Sequence, residues 1–90
     1  MGIDEYFKPP VGMFRVIGYN PFDREFFRAR KPEDFYKEAV YESFQEAQIT
    51  AILKQGDEDK TNGADNEIAA TFHVIDDEGK IIYSTNIRID

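Results

Sequence analysis

The stretch PEDFYKEAVYESFQEA, residues 32–47, constrains the fold of this chain more than any other. Its apolar side chains recur every three or four residues, which places them on one face of a helix. Pro32 suits the first helical position, and the acidic Glu33 and Asp34 suit the positive end of the helix dipole. We therefore predict a helix over residues 32–47, with an apolar stripe that a sheet must cover. The stripe consists of Phe35, Tyr36, Ala39, Val40, Phe44 and Ala47.

Strand patterns lie on both sides of this predicted helix. GMFRVIGYN, residues 12–20, is rich in β-branched and aromatic residues, and the NPFD that overlaps its end is typical of a type I turn. ITAILKQ, residues 49–55, indicates a short buried strand, because a continued helix would place Ile49 and Ile52 on its polar side. EIAATFHVID and KIIYSTNIRI, which flank DEG, predict a terminal hairpin.

The segment REFFRAR, residues 24–30, leaves two structures open. As a strand, it would point the adjacent Phe26 and Phe27 to opposite faces, with Phe27 in the core. As a helix, Asn20 would cap it, and Phe22 and Phe26 would share one face. The strand is favoured because Pro32 disfavours helical backbone just before it and leaves only a short helix.

Together these elements predict an α+β domain with the order β-β-α-β-β-β. One amphipathic helix would pack on a mainly antiparallel sheet in two layers. We assign residues 12–90 to this single domain and residues 1–11 to a flexible N-terminal arm, in which KPP favours extended backbone. Aromatic residues make up 14% of the chain, which argues against disorder. The sheet face away from the helix carries Arg15, so we expect it to be solvated or used for assembly.

The residue types present exclude several kinds of site. The chain has no cysteine, so it can form neither disulfides nor thiolate metal sites. His73 is the only histidine and cannot form a two-histidine zinc site. The acidic loop 56–66 fails as an EF-hand, because Asn62 and Ile68 stand where glycine and glutamate are needed. We expect a mobile loop there, and no catalytic residue, cofactor or metal site.

The charge distribution bears on location and partners. The net charge is −7, divided into +2 over residues 1–31 and −9 over residues 32–90. Overall acidity disfavours general binding to nucleic acid. The chain has no apolar run of membrane-spanning length, and its start, MGIDEYFKPP, has no apolar signal core. These features predict a cytoplasmic protein that does not bind a membrane.

The stretch GYNPFDREFFRARKP, residues 18–32, concentrates aromatic and basic residues in an otherwise acidic chain. Aromatic and arginine side chains are the common anchors of protein interfaces, and they also stack on bases. In a strand, one of the adjacent Phe26 and Phe27 must lie beside the arginines on the face away from the helix. The candidate interaction residues are Tyr19, Phe22, Arg24, Phe26, Arg28 and Arg30.

These residues predict a small non-catalytic protein-interaction or regulatory module. It would act through the 19–31 hairpin and the sheet face not covered by the helix, binding a protein partner or a second copy of itself. The alternative is a nucleic-acid-related protein. In that case the basic and aromatic hairpin would bind single strands, or the acidic half would mimic nucleic acid as a phage-type inhibitor does.

Overall fold

The computed structural model describes residues 5–62 and 70–85, in which one α-helix packs on an antiparallel sheet. A 3-10 turn at Glu5–Phe7 comes first. The strands are β1 (Phe14–Asn20), β2 (Glu25–Arg28), β3 (Arg30–Lys31), β4 (Asp34–Glu38), β5 (Val40–Tyr41), β6 (Thr71–Ile75) and β7 (Ile81–Ser84). The helix, α1 (Phe44–Asn62), lies between β5 and β6. The predicted two-layer α+β class is therefore confirmed.

The main sheet has the strand order β2-β1-β6-β7. Strand β5 pairs with the first two residues of β1, on the edge that β2 occupies further along. Between β2 and β5, Ala29 N donates to Val16 O (3.2 Å) and Val16 N donates to Ala39 O (2.9 Å). The chain between these two alanines leaves the sheet and forms the separate β3–β4 hairpin.

The core lies between the helix and one sheet face. Val16, Phe72 and Val74 from β1 and β6 are buried against Ala47 and Ala51 of the helix. The small alanine side chains let the helix approach the sheet closely, because interaxial distances depend on the side chains at the contact. The helix therefore packs on this sheet face through two alanines, with Phe44 at its start also against the core.

The predicted helix at residues 32–47 is wrong in position. Residues 34–38 and 40–41 are strands, because the buried Ala39 pairs with β1 in the way described above. The helix begins only at Phe44, after Ser43, whose hydroxyl accepts from Glu46 N at 3.4 Å. Serine followed by glutamate three residues later is the capping-box pattern, and it marks the helix start.

The predicted strand at 49–55 and the predicted loop at 56–66 are also wrong where the structure describes them. Residues 49–62 continue the helix, and residues 63–66 lie outside the described residues. The helix extends this far because its inner face meets the sheet with polar groups. Gln55 Nε2 donates to Ala70 O (2.9 Å), and Glu58 Oε1 accepts from Ala70 N (3.1 Å).

The predicted first strand and the predicted strand structure of REFFRAR are confirmed by β1 and β2. The terminal hairpin is confirmed as β6 and β7, which pair antiparallel across a turn in which Gly79 has a φ of 81°. Glycine adopts this left-handed conformation without a steric penalty. The parts of these two predicted strands that fall at 67–69 and 86–89 lie outside the described residues.

Candidate functional site

The tip of the β1–β2 hairpin is fixed by local hydrogen bonds. Asn20 Oδ1 accepts from Phe22 N (2.9 Å), and Asn20 O accepts from Arg24 N (2.9 Å). Arg24 has a φ of 58°, a left-handed conformation that reverses the chain into β2. Asp23 Oδ1 accepts from Glu25 N (3.1 Å) and closes the turn. Phe22 therefore stands at the end of an ordered turn.

Five rings meet on the sheet face away from the helix, and we call them the aromatic cluster: Tyr6, Phe7, Tyr19, Phe26 and His73. Phe26 is their centre, with ring centroids 5.0 Å from Tyr19, 6.0 Å from His73 and 6.4 Å from Phe7. Strand pairing explains part of this, because Tyr19 lies opposite Phe26 in the β1–β2 register. The contacts of Phe26 with Phe7 and His73 are edge to face, an arrangement that is favourable beyond the area it buries.

A carboxylate beside the cluster holds two guanidinium groups. Glu38 accepts from Arg15 Nη1 (3.2 Å) and from Arg28 Nη1 (3.0 Å). Burial raises the pKa of the Glu38 carboxyl, but the hydrogen bonds and charges of the two arginines outweigh it, so the pKa is lowered. Arg28 also stacks on Tyr6, with its guanidinium carbon 3.9 Å from the ring centroid, and donates to the Tyr6 carbonyl. The network therefore ties the 3-10 turn to β2 and β4.

His73 lies in the cluster between two hydroxyl groups. Its Nδ1 is 2.6 Å from Ser84 Oγ, and its Nε2 is 3.0 Å from Thr71 Oγ1. Burial lowers its pKa. A serine beside a histidine is the pair that a nucleophilic mechanism uses, but there a third group, commonly a carboxylate, orients the histidine. Here the second nitrogen meets Thr71, and the cross-strand register of His73 and Ser84 explains their contact.

The structure brings together only part of the predicted interaction set. Tyr19, Phe26 and Arg28 meet on the face away from the helix. Phe22 and Arg24 lie at the hairpin tip, and Arg30 belongs to β3 in the smaller sheet, where it donates to the Phe35 carbonyl (3.2 Å). The six residues therefore lie in three places: three on the face away from the helix, two at the hairpin tip and one in the smaller sheet.

The sequence predicts that the face away from the helix is solvated or used for assembly. Solvation is wrong at the centre of this face, and use in assembly stays a prediction. Ile17 and Ile75 lie there and are fully buried, and Arg15 is only 5% exposed. Tyr6 and Phe7 lie against this face, and Glu38 supplies a carboxylate partner to both Arg15 and Arg28. The YF that precedes KPP is a sequence signal for docking on the domain or on a partner, whereas sequence reasoning missed the pairing of Glu38 with the two arginines. Whether the arm is flexible stays a prediction.

Within 5–62 and 70–85, histidine and acidic side chains nowhere gather in a group of three that could bind a metal ion. In the same ranges, no helix has the length and apolar character needed to cross a membrane. Compared with protein-family models, curated proteins and solved structures, the chain shows no significant match.

Proposed function

We propose that the protein is a small non-catalytic protein-interaction or regulatory module whose binding surface is the tip of the β1–β2 hairpin with the adjoining aromatic cluster. One observation carries the proposal: Phe22 exposes 75% of its surface at the end of a turn that backbone and side-chain hydrogen bonds hold in one conformation. An exposed aromatic side chain on an ordered loop is the usual form of an interface anchor.

The rigidity of the hairpin supports this function. Binding through a mobile loop loses affinity because the loop must be ordered in the complex, whereas an ordered loop avoids that cost. The base of the hairpin is held by the contact of Tyr19 with Phe26, and the tip by the turn around Asn20. A partner with an apolar pocket would receive Phe22, and Arg24 beside it would meet an acidic rim.

The alternative partner, nucleic acid, has weaker support. Single-strand binding needs several cations that are free to contact phosphates. Arg28 is paired with Glu38 and stacked on Tyr6, and Arg15 is buried against the same carboxylate. The hairpin therefore offers a phosphate chain fewer free charges than its sequence indicates.

The test is affinity purification from the native source with three versions of the chain. Phe35 exposes 71% of its surface at the β3–β4 hairpin, so Phe35→Ser is a matched control for Phe22→Ser. A partner should be retained by the parent chain and by Phe35→Ser and should be lost from Phe22→Ser. Equal retention by both variants would exclude the hairpin tip. Salt-sensitive binding of single-stranded DNA in a polarisation assay would instead support the nucleic-acid alternative.

The proposal includes a cytoplasmic location, which rests on the absence of cysteine from the sequence. Proteins in reducing compartments rarely form disulfides, whereas small secreted domains commonly depend on them for stability. Fractionation of the native cells checks this directly, and recovery in a secreted fraction would refute it.

A further inference from the structure

Helix α1 carries its larger apolar side chains on the side that points away from the sheet. Its buried side holds Ala47, Ala51 and Gln55. Its outer side holds Ile49, Ile52 and Leu53, which expose 51%, 51% and 54% of their surface. Ile52 and Leu53 lie three and four positions after Ile49, so the three residues, which we call the outer stripe, share one side of the helix. A helix that packs only on its own sheet has the opposite arrangement.

We propose that a second copy of this chain covers the outer stripe, with the two α1 helices packed antiparallel about a two-fold axis near Leu53. The interface would then be isologous, which is the commonest symmetry of soluble oligomers. This inference uses a different surface from the hairpin tip and does not depend on the function proposed above.

The charges that flank the stripe match this symmetry. Glu46 and Lys60 are both exposed, and each lies seven residues from Leu53, one before it and one after it. They therefore occupy the same edge of the helix, since seven residues make almost two full turns. A two-fold axis at Leu53 places Glu46 of one copy beside Lys60 of the second copy, twice in each dimer. Within one copy they are about 21 Å apart along the helix and cannot pair.

The shape of the stripe also fits a second copy. Gly56 is exposed, and a Cβ atom placed there would have no neighbour within 4 Å. Glycine destabilises a helix interior, so its place in this one needs a reason. The same two-fold axis sets Gly56 opposite the part of the second helix that holds Ile49 and Ile52. Bulky side chains of each copy would then fill the space that the glycine leaves on the other, and the helices could approach closely.

The strength of the association follows from size and charge. The stripe is small beside the roughly 800 Å² per partner of a standard stable interface. Each copy also carries a net charge of −7, which opposes association at low salt. We therefore expect a reversible dimer with a dissociation constant on the order of 10–100 μM at about 0.15 M salt, where charges are screened beyond about 8 Å.

Sedimentation velocity over a concentration series tests the dimer. Ile52→Glu should raise the dissociation constant at least about tenfold, because it buries a charge in the interface. Ile81→Glu is the control, since Ile81 is 39% exposed on β7 and lies outside the stripe. It should change the constant less than about twofold, and circular dichroism should show that both variants fold. The proposal is refuted if the parent chain stays monomeric up to about 1 mM, which is ten times the weakest dissociation constant expected from the size of the stripe. It is also refuted if both variants change the dissociation constant equally.

Two further variants test the packing. Gly56→Leu adds apolar surface, so non-specific association would strengthen, whereas the proposed packing requires it to weaken. Glu46→Lys and Lys60→Glu should each weaken the dimer, and the double reversal should restore it. Failure of the double variant to recover would refute the antiparallel pairing. Phe22→Ser should leave the dimer intact, so the two proposals can fail separately.

Discussion

The contact between Gly18 and Phe27 predicts that a side chain at position 18 destabilises the fold. The ring of Phe27 lies directly over Gly18, so that a Cβ atom at position 18 would be 2.2 Å from Phe27 Cζ. This distance is far inside van der Waals contact, so Gly18→Ala must displace the ring. Phe27 also meets Phe72 edge to face, with centroids 6.1 Å apart, and the displacement would break that pair.

The magnitude follows from what the displaced ring loses. The aromatic pair contributes about 0.5–1.5 kcal/mol, and overpacking typically costs about 1–3 kcal/mol. Phe27 is 39% exposed and can turn toward solvent, which limits the strain. Alanine also lowers the entropy of the unfolded chain and returns about 0.4–1 kcal/mol. We expect Gly18→Ala to lower the free energy of unfolding by about 1–2 kcal/mol.

The double variant separates this mechanism from a general intolerance of side chains at position 18. Phe27→Ala alone should cost about 2 kcal/mol, below the usual 3–5 kcal/mol for a fully buried phenylalanine. Gly18→Ala with Phe27→Ala should cost no more than Phe27→Ala alone, because the ring that clashes is gone. Urea unfolding of the three variants gives a coupling of about 1–2 kcal/mol. Additive losses would show that the ring does not lie over Gly18 and would refute the reasoning.

The side chains of Glu38, His73 and Gln55 should also contribute to stability. Urea unfolding should show that Glu38→Gln lowers the free energy of unfolding by about 2–3 kcal/mol, because the buried Arg15 loses its carboxylate partner; the figure allows for the partial exposure of Glu38. The control is Glu33→Gln at an exposed position, which should cost about 0.5 kcal/mol or less. Equal losses in the two variants would contradict this prediction. Because the Glu38 pKa is lowered from 4.5, the stabilisation is present above pH 4.5 and is lost as the pH falls through the folded-state pKa. The His73 pKa is lowered from 6.5 in the folded state, so the unfolded state takes up the proton first and the free energy of unfolding should fall as the pH drops below 6.5. His73→Gln should make the free energy of unfolding less dependent on pH in this range. An unchanged slope in the variant would contradict this prediction. Gln55→Leu should cost about 1–3 kcal/mol, because it leaves the Ala70 carbonyl without the Gln55 donor and removes one hydrogen bond of the buried Thr85 hydroxyl, which keeps its bonds to the Phe72 backbone. An unfolding temperature close to that of the parent chain would exclude this role.

The sequence predicts the sheet of this protein better than its helix. β1 and the β6–β7 hairpin follow from period-two alternation and from turn residues, which are local signals. The helix was misplaced because residues 32–47 have a helical apolar period, but residues 34–38 and 40–41 are held as strands by the long-range pairing of Ala39 with Val16. Ile49 and Ile52 caused the opposite error, a strand predicted at residues 49–55 where the helix continues. Their outward position on the helix contradicts the rule that apolar residues face the core.

The candidate site was predictable where it depends on strand alternation and not where it depends on contacts between distant segments. Phe26 and Phe27 do point to opposite faces, and Phe26 lies on the same face as Arg28, as a period of two requires. The pairing of Glu38 with Arg15 and Arg28 joins three separate segments. No spacing in the chain indicates such a contact, because it arises only when the β3–β4 hairpin folds back beside the sheet.

The chain leaves the main sheet after Ala29 and returns to it at Ala39, so residues 30–38 form an excursion from that sheet. Ala39 N donates to Ala29 O at 3.0 Å, so the two ends of the excursion are already joined. The entropy of closing a loop grows only slowly with its length. Evolution could therefore lengthen, shorten or replace this segment while the core stays the same, provided that a carboxylate remains at position 38. Within this small domain, the hairpin is the place where new sequence can be tried at the least risk to folding.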